Sequence, residues 1–254
     1  MSLSIWTQCE GKLNARKLEL DAWRVVESQY ITSTRKLVDS DAEQNRLESL
    51  IDGAKPPVPK GLDGGLHFLL FTPFRHPPLR NGSRLGVRRE RGIFYGSKAI
   101  RTALAEVAYY RLVFLTGTTA DLGIVQTQHT AFRVSVKTVL GIDLTADPFR
   151  EYEALISSPT DYQYSQQLGT EMRKAGIEVV LFKSARDSQG GANVALIAPA
   201  FGKPAPYPDT QEWLCTSTHA LVEMTRKNAF TKDAALGFPR AQFLVDGALP
   251  RPAV

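Results

Sequence analysis

Cysteine is scarce in this sequence, which has only Cys9 and Cys215 among its 254 residues. Two cysteines cannot build a disulfide framework, and neither they nor the four histidines have the spacing of a zinc site. We therefore expect two free thiols in a protein of the reducing cytoplasm, with no bound metal. The amino terminus becomes polar within a few residues, so no secretion signal is expected.

Long apolar runs are also absent. The longest, such as residues 179–182, span a handful of residues, whereas a membrane-crossing helix requires roughly 20. With 43% hydrophobic and 22% charged residues, the composition is that of a globular protein rather than a disordered or fibrous one. We expect a soluble protein that has no membrane partner.

The familiar catalytic and nucleotide-binding signatures are missing too. The sequence has no G-x-S-x-G, Walker or G-x-G-x-x-G motif, and the glycine-rich residues 61–65 fit none of these templates. Nucleophile-elbow hydrolases and the common nucleotide-binding folds are therefore excluded.

Positive charge is concentrated in one segment. The chain carries 31 Lys and Arg against 26 Asp and Glu, a formal net charge of +5, and residues 80–91 hold five arginines against the single Glu90. The rest of the chain is nearly neutral, which argues against a basic surface that follows nucleic acid. The segment is either one local site for an anion or a solvated loop.

Hydrophobic periodicity and capping residues predict the secondary structure. The amino-terminal portion reads as largely helical, with a capping box at residues 40–43 and a helix that ends at Gly53. Strands are predicted at residues 66–72, 93–96, 131–138, 177–183 and 193–198, with a final hairpin within residues 213–224. Two further helices are predicted, one capped by Ser97 over residues 98–113 and one over residues 164–175 that ends at Gly176.

These elements predict an α+β fold, with a mixed, mostly antiparallel sheet core and flanking helices. Several strands show the alternating pattern of antiparallel sheets, and few βαβ units are present. That combination favours α+β over a doubly wound architecture.

Four residues, in order along the chain, have side chains suited to one reaction. Arg84 can bind a diphosphate through two hydrogen bonds, Tyr95 can stack on a ring, and Glu106 can stabilise a sugar cation. Ser184, at a strand end, can bond a phosphate or ribose oxygen. Glu106 lies on a helix face of small side chains, which lets a ligand come close. Each residue also has a purely structural explanation, but together they suit cleavage of an N-glycosidic bond in a dinucleotide.

Three sequence blocks resemble the RES domain, a family named for its Arg, Glu and Ser that supplies the toxin of Xre–RES toxin–antitoxin pairs. The blocks are Gly82-Ser83-Arg84 with Gly92-Ile93-Phe94-Tyr95, then Thr102-Ala103-Leu104-Ala105-Glu106, then residues 167–177 with Phe182-Lys183-Ser184-Ala185-Arg186. Their order is that of the family, and so is the spacing of eleven residues between Tyr95 and Glu106. The interval from Arg84 to Tyr95 is one residue longer than in the family, which makes Arg88 or Arg80 an alternative holder of the arginine's role.

The resemblance implies a fold similar to that of ADP-ribosyltransferase toxins and an enzyme that degrades NAD+ by phosphorolysis or hydrolysis of the nicotinamide–ribose bond. It implies Glu106, Tyr95 and Arg84 as catalytic residues, and Arg84, Tyr95, Ser184 and Arg88 as residues that bind NAD+. NAD+ is then a substrate, inorganic phosphate is a candidate co-substrate, and no resident cofactor is needed. The acceptor is phosphate, water or a protein, so protein ADP-ribosylation is one alternative. Nucleic-acid binding by residues 80–91 is the other.

The resemblance covers about residues 66–200, which we take as a RES-like catalytic core. It also implies an antitoxin partner with a helix-turn-helix domain. Residues 1–65 are expected to be a largely helical extension, and residues 201–254 a carboxy-terminal extension packed on the core. Residues 1–65 contain an apolar helix face with Leu47, Leu50 and Ile51. Three alternative roles are open for this face: a homodimer surface, a built-in lid or a platform for the antitoxin.

Overall fold

One sheet contains all the strands of the residues that the structure describes. The computed structural model describes residues 3–28, 37–59, 61–62, 65–78, 80–227 and 235–252. The strands are β1 (Arg16–Glu27), β2 (Phe94–Ser97), β3 (Val125–Asp143), β4 (Val179–Lys183), β5 (Ala192–Leu196), β6 (Gln211–Ser217), β7 (Leu221–Arg226) and β8 (Leu236–Pro239). The α-helices are α1 (Ile5–Gln8), α2 (Asp41–Ala54), α3 (Phe68–Arg75), α4 (Ile100–Gly117), α5 (Glu153–Ile156) and α6 (Gln163–Lys174).

The sheet is partly closed on itself. Its strand order is β1-β2-β5-β4-β3-β6-β7-β8, and β1 also pairs with β3. The first five strands of that order therefore form a ring, from which β6, β7 and β8 extend. Only β3 and β4 run parallel among the described pairings. This mixed, mostly antiparallel sheet with its flanking helices confirms the predicted α+β class.

Several elements lie where the sequence predicted them. β3 includes the alternating residues 131–138, in which Phe132, Val134 and Val136 are buried. Helix α6 ends before Gly176, whose φ of 79° is the left-handed conformation that glycine favours. Strands β6 and β7 form the predicted hairpin. At the start of α2, the Glu43 amide donates to Ser40 Oγ, as the capping box predicted.

The amino-terminal portion contains the helices α1 and α2, but it also contributes a strand to the sheet, which the sequence analysis did not predict. Residues 16–27 form β1, which pairs with β3 from Arg16 opposite Gly141 to Glu27 opposite His129. Residues 17–22 alternate polar and apolar side chains, but the alternation ends at Trp23, and from there to Val26 both faces of β1 are partly covered. Strands from residues 1–65, 66–200 and 201–254 all belong to the same sheet.

The predicted strand at residues 66–72 is also wrong, because this segment begins α3. The side chain of His67 accepts a hydrogen bond from the Leu69 amide at 3.2 Å and so caps the helix. Its buried residues, Leu70 and Phe74, are one helical turn apart. A short apolar run that ends near Pro73 gives the same signal as a buried strand, which explains the error.

Helix α4 begins later than predicted and without the predicted cap. Its N-cap is Ala99, whereas Ser97 is the last residue of β2 and donates from Oγ to Asn193 Oδ1 at 2.6 Å. The buried side of α4, including Leu104 and Leu112, packs in the core cluster shared with β6, β7 and β8. None of the described helices is long and apolar enough to cross a membrane.

The predicted apolar face of α2 is open. Leu50 is 61% exposed and Ile51 is 38% exposed. The described residues therefore leave this face uncovered, and its use as a homodimer surface, lid or antitoxin platform stays a prediction.

Candidate active site

A cavity opens where β1 and β2 separate. These neighbours pair at a single register position, Trp23 opposite Ser97. Gly96 permits the close approach of the strands there, because a Cβ atom at this position would lie 2.8 Å from the Trp23 carbonyl oxygen. The cavity has a volume of about 340 Å³, the size of a small-molecule site. Its polar lining residues are Arg24, Ser83, Arg84, Ser97, Glu106 and Asn193. Its larger apolar or aromatic lining residues are Trp23, Val25, Tyr95, Val107, Tyr110, Tyr162 and Phe182.

Glu106 projects from α4 into this cavity. Its Oε1 atom accepts two short hydrogen bonds, from Ser184 Oγ at 2.6 Å and from Asn193 Nδ2 at 2.6 Å. Its Oε2 atom accepts none from the described residues. The carboxylate is therefore held through one oxygen, and the other is left for a ligand.

Ser184 lies behind Glu106 rather than on the cavity wall. It follows β4 directly, is 5% exposed, and begins the turn that leads to β5. Besides donating to Glu106, its Oγ accepts hydrogen bonds from the amides of Arg186 and Asp187, both at 3.1 Å. The structure thus brings Ser184 to the predicted site, but its hydroxyl already has three protein partners.

Asn193 is a site residue that the sequence analysis missed. It belongs to β5, opposite Ser97 of β2 on one side and Phe182 of β4 on the other. Its amide oxygen accepts from Ser97, and its amide nitrogen donates to Glu106. A buried asparagine inside an otherwise apolar strand is the signal that could have identified it, because such a side chain requires polar partners.

Arg84 lies on the cavity wall and is 8% exposed. Its Nη1 donates to the carbonyl oxygens of Ile156 at 3.2 Å and Ser158 at 2.9 Å, and its guanidinium stacks 4.5 Å from the ring centre of Tyr162. Its Nε and Nη2 atoms have no hydrogen-bond partner among the described residues. The guanidinium is thus anchored on one side and keeps donors for an anion on the other.

The hydroxyl of Tyr95 fastens the loop that carries Arg84. It accepts a hydrogen bond from the Leu85 amide at 3.1 Å and lies 2.9 Å from Ser83 Oγ. Burial raises the pKa of Tyr95 to about 12, so this phenol is neutral near pH 7 and is not a general base there. Its ring packs edge-on against Phe182 and lines the cavity.

Helix α6 holds the same loop from the opposite side. Gln166 Nε2 donates to the carbonyl oxygens of Asn81 at 2.8 Å and Ser83 at 3.1 Å. Gly169 allows close contact, because a Cβ atom at this position would lie 2.0 Å from the Leu85 carbonyl oxygen. Arg84 is therefore positioned by β2 and α6 together.

The other arginines of residues 80–91 do not line this cavity. Arg88, the predicted alternative for binding NAD+, is exposed at the surface, as are Arg80 and Arg89. Arg91 lies 5.9 Å from the ring centre of Phe74. The segment is thus not a single anion site, and Arg84 alone faces the cavity.

A second cavity guanidinium comes from β1. Arg24 donates from Nη1 to the Tyr95 carbonyl oxygen at 2.6 Å and lies 4.8 Å from the ring centre of Phe94. Burial lowers its pKa to about 10, which leaves it cationic near pH 7. Sequence analysis missed this residue because it placed residues 1–65 in a helical extension.

The cavity combines two cations, one carboxylate and aromatic walls. Such a set suits a ligand with anionic groups for the arginines, a flat ring for the aromatic side chains, and a centre of developing positive charge near Glu106. Among the described residues no cluster of three His, Cys, Asp or Glu side chains could hold a metal ion. The carboxylate of Glu106 is a group suited to electrostatic stabilisation of a cationic centre.

Comparison with known proteins adds a family match. A family model described as the RES domain matches residues 60–217, which include β2 to β6 but not β1. A chain of the M. tuberculosis MbcT–MbcA toxin–antitoxin complex, known from its crystal structure, is similar with a TM-score of 0.43 and 12% identity, over 75% of this chain and 79% of that chain. No curated protein matches the sequence.

Proposed function

Because this chain belongs to the RES domain family, we propose that it is an enzyme that degrades NAD+ and acts as the toxin of a toxin–antitoxin pair. The observation that carries the proposal is the hydrogen bonding of the Glu106 carboxylate. One oxygen of its carboxylate is held by two protein donors, and the other is free in a cavity that also contains Arg24 and Arg84.

The reaction proposed is cleavage of the bond between nicotinamide and C1′ of its ribose. The bonding electron pair leaves with the nicotinamide nitrogen, which becomes neutral, so the departing group needs no general acid. Positive charge then develops on the ribose ring, and Oε2 of Glu106 is placed to stabilise it. Such preorganised stabilisation of a developing charge is commonly the largest catalytic contribution of an enzyme site.

The two arginines fit the anionic centre of the substrate. A guanidinium binds phosphate oxygens through paired hydrogen bonds, and both Arg24 and Arg84 keep donors that no described residue uses. The aromatic side chains of Tyr95, Tyr162 and Phe182 offer surfaces for the nicotinamide ring.

The acceptor in this proposal is inorganic phosphate or water. An oxygen of the phosphate anion forms the new bond to C1′ of this ribose. The product is ADP-ribose 1″-phosphate, in which the same carbon is numbered 1″. Water gives ADP-ribose and releases one proton to solvent. Surplus guanidinium donors favour the phosphate route, because they can bind an incoming anion as well as the diphosphate.

The proposed biological role is that of a toxin silenced by a second protein. The RES resemblance implies an antitoxin with a helix-turn-helix domain. A cavity with two cations and one carboxylate suits an acidic segment of such a partner, which would compete with NAD+ for the arginines. Salt and Arg84→Ala are both expected to weaken that inhibition.

The decisive experiment is incubation of the purified protein with NAD+, with and without phosphate, followed by mass spectrometry. We expect nicotinamide in both cases, and ADP-ribose 1″-phosphate or ADP-ribose according to the acceptor. Unchanged NAD+ under both conditions, together with harmless expression in cells, would contradict the proposal. ADP-ribose attached to protein would instead identify a protein ADP-ribosyltransferase.

A further inference from the structure

We infer that Ser184 and Asn193 are positioning residues, which hold Oε1 of Glu106 so that Oε2 is presented to the substrate, and that Ser184 itself makes no substrate contact. The inference rests on the proposed function only for the identity of that substrate. It assigns to Ser184 a role different from the ribose or phosphate contact expected from the sequence.

The hydrogen-bonding capacity of Ser184 is already used. A serine hydroxyl has one donor hydrogen and two acceptor lone pairs. The hydrogen goes to Glu106 at 2.6 Å, and the lone pairs accept from the amides of Arg186 and Asp187. With the residue 5% exposed and absent from the cavity lining, nothing of the hydroxyl remains for a ligand.

The turn that carries Ser184 is fastened to the helix that carries Glu106. Asp187 Oδ2 accepts from Thr102 Oγ1 at 2.8 Å, and Asp187 Oδ1 pairs with Arg101 Nη1 at 3.3 Å. Both partners belong to α4, one turn before Glu106. The distance between Ser184 and Glu106 is therefore set by a second, independent connection.

The side-chain amide of Asn193 is held between Ser97 and Glu106. The hydroxyl of Ser97 has a hydrogen to donate, and it donates to Asn193 Oδ1 at 2.6 Å. The amide oxygen is thereby turned away from Glu106, and the amide nitrogen points at the carboxylate. The reversed amide would place an oxygen against the carboxylate, which only accepts, so Glu106 fixes the orientation of the amide and Ser97 donates to the oxygen that remains.

Several other charged or titratable groups lie near Glu106, but they do not hold its Oε1 atom. Other charged or titratable groups at the cavity or next to Glu106 are Arg24 of β1, Arg84 of its loop, Tyr95 of β2, Tyr109 and Tyr110 of α4, Tyr162 before α6, and Arg186 of the turn. None of these donates to Oε1 in the described structure. Ser184 and Asn193 thus determine the orientation of the carboxylate between them.

The first test separates positioning from substrate binding. In Ser184→Ala, we expect the kcat for NAD+ to fall by about 100-fold, the order of loss caused by a misplaced catalytic group. The Kd of carba-NAD+, whose nicotinamide ribose carries a methylene in place of the ring oxygen and so resists cleavage, should change less than twofold. Ser217→Ala is the matched control, because Ser217 is also buried and its hydroxyl lies 3.3 Å from Cys215 Sγ, outside the cavity lining.

Asn193→Asp provides the second test and keeps the shape of the side chain. While it is ionised, the new carboxylate can still accept from Ser97 but cannot donate to Glu106. Two carboxylates this close share a proton, so the acid limb of the kcat profile should move to higher pH. The control variant, Ser217→Ala, should leave the acid limb of the kcat profile at its wild-type pH. Lower stability with an unmoved limb would show that residue 193 does not act on the carboxylate that governs turnover.

A third measurement does not depend on turnover. In NMR spectra of the free protein, the Asn193 side-chain amide should show a hydrogen bonded to a carboxylate, and its signal should move in Glu106→Gln. If this signal moves but wild-type protein leaves NAD+ intact, the proposed function fails and the positioning role stands. Any of three results would overturn the inference. They are an amide signal that does not move in Glu106→Gln, a weaker Kd with unchanged kcat in Ser184→Ala, and an acid limb that does not move in Asn193→Asp.

Discussion

Nη1 of Arg24 lies 2.6 Å from the carbonyl oxygen of Tyr95. The bond joins β1 to β2 beside the cavity, where the two strands otherwise pair only at Trp23 and Ser97. Arg24 is outside the matched residues 60–217, yet it lines the same cavity as Arg84 and Glu106. The cavity therefore extends beyond the segment that the family model covers.

Replacement of Arg24 tests whether β1 contributes to binding. Arg24→Ala should weaken carba-NAD+ binding by about 1.5–3 kcal/mol, the usual contribution of a hydrogen bond to a charged group. Arg24→Lys should recover part of it, because the charge remains but the paired donors are lost. Isothermal titration calorimetry measures the change. Unaltered affinity in Arg24→Ala would mean that this guanidinium only ties β1 to β2.

Arg84 and Arg88 form a matched pair for a second prediction. Arg84→Ala should weaken NAD+ binding by about 2–4 kcal/mol, as expected for a lost bidentate contact to a diphosphate, and lysine should restore only part. Arg88→Ala removes an exposed guanidinium outside the cavity and should leave affinity unchanged. A loss at Arg88 with none at Arg84 would show that the arginine of the motif has been misassigned.

Glu106→Gln should abolish NAD+ consumption and preserve the fold. The amide keeps the shape of the side chain but loses the charge that stabilises the ribose cation. Product formation by mass spectrometry gives the activity, and circular dichroism checks the fold. Turnover at the wild-type rate would make Glu106 a structural residue and remove the basis of the mechanism.

Gly169→Ala should destabilise the protein by about 1–3 kcal/mol, the cost typical of overpacking. The new methyl group would lie 2.0 Å from the Leu85 carbonyl oxygen, so the loop of Arg84 must shift. The control is Gly53→Ala in α2, where nothing lies within 4 Å and alanine should be neutral or stabilising by up to about 1 kcal/mol. Urea unfolding measures both, and equal effects would contradict the close packing of α6 on the loop.

Deletion of residues 1–27 should prevent folding, because it removes a central strand and exposes the β3 edge. Solubility and circular dichroism report the result. Leu50→Ser, at a 61% exposed position of α2, should be tolerated and serves as the control. A soluble, folded deletion variant would mean that β1 is dispensable.

The sequence predicted best those elements whose signal is local. The alternation of residues 131–138 identified β3, because one face of this strand is buried. Gly176 identified the end of α6, because glycine favours the backbone conformation found there. β1 was missed although residues 17–22 alternate in polarity, because the alternation is short and ends at Trp23. α3 was misread because its cap, His67, is an uncommon capping residue.

In the candidate site, too, some residues were predicted from the sequence and others were found only in the structure. Motif resemblance indicated Glu106, Arg84, Tyr95 and Ser184, and the structure brings all four together, with Ser184 behind Glu106. Asn193 and Arg24 depend on strand register, which places Asn193 opposite Ser97 and carries β1 past Tyr95. Register between distant segments has no signature in a single sequence, so the placement of these two residues beside Glu106 and Arg84 required the structure.

The ring of five strands also imposes an order on biosynthesis. The walls of the cavity come from β1, near the start of the chain, and from residues as far along as Asn193 in β5. A nascent polypeptide therefore has no complete cavity until β5 has left the ribosome and paired with β2 and β4. If the protein is a toxin, its translation is harmless for most of its duration, and a partner already present in the cell can capture each molecule as it is completed.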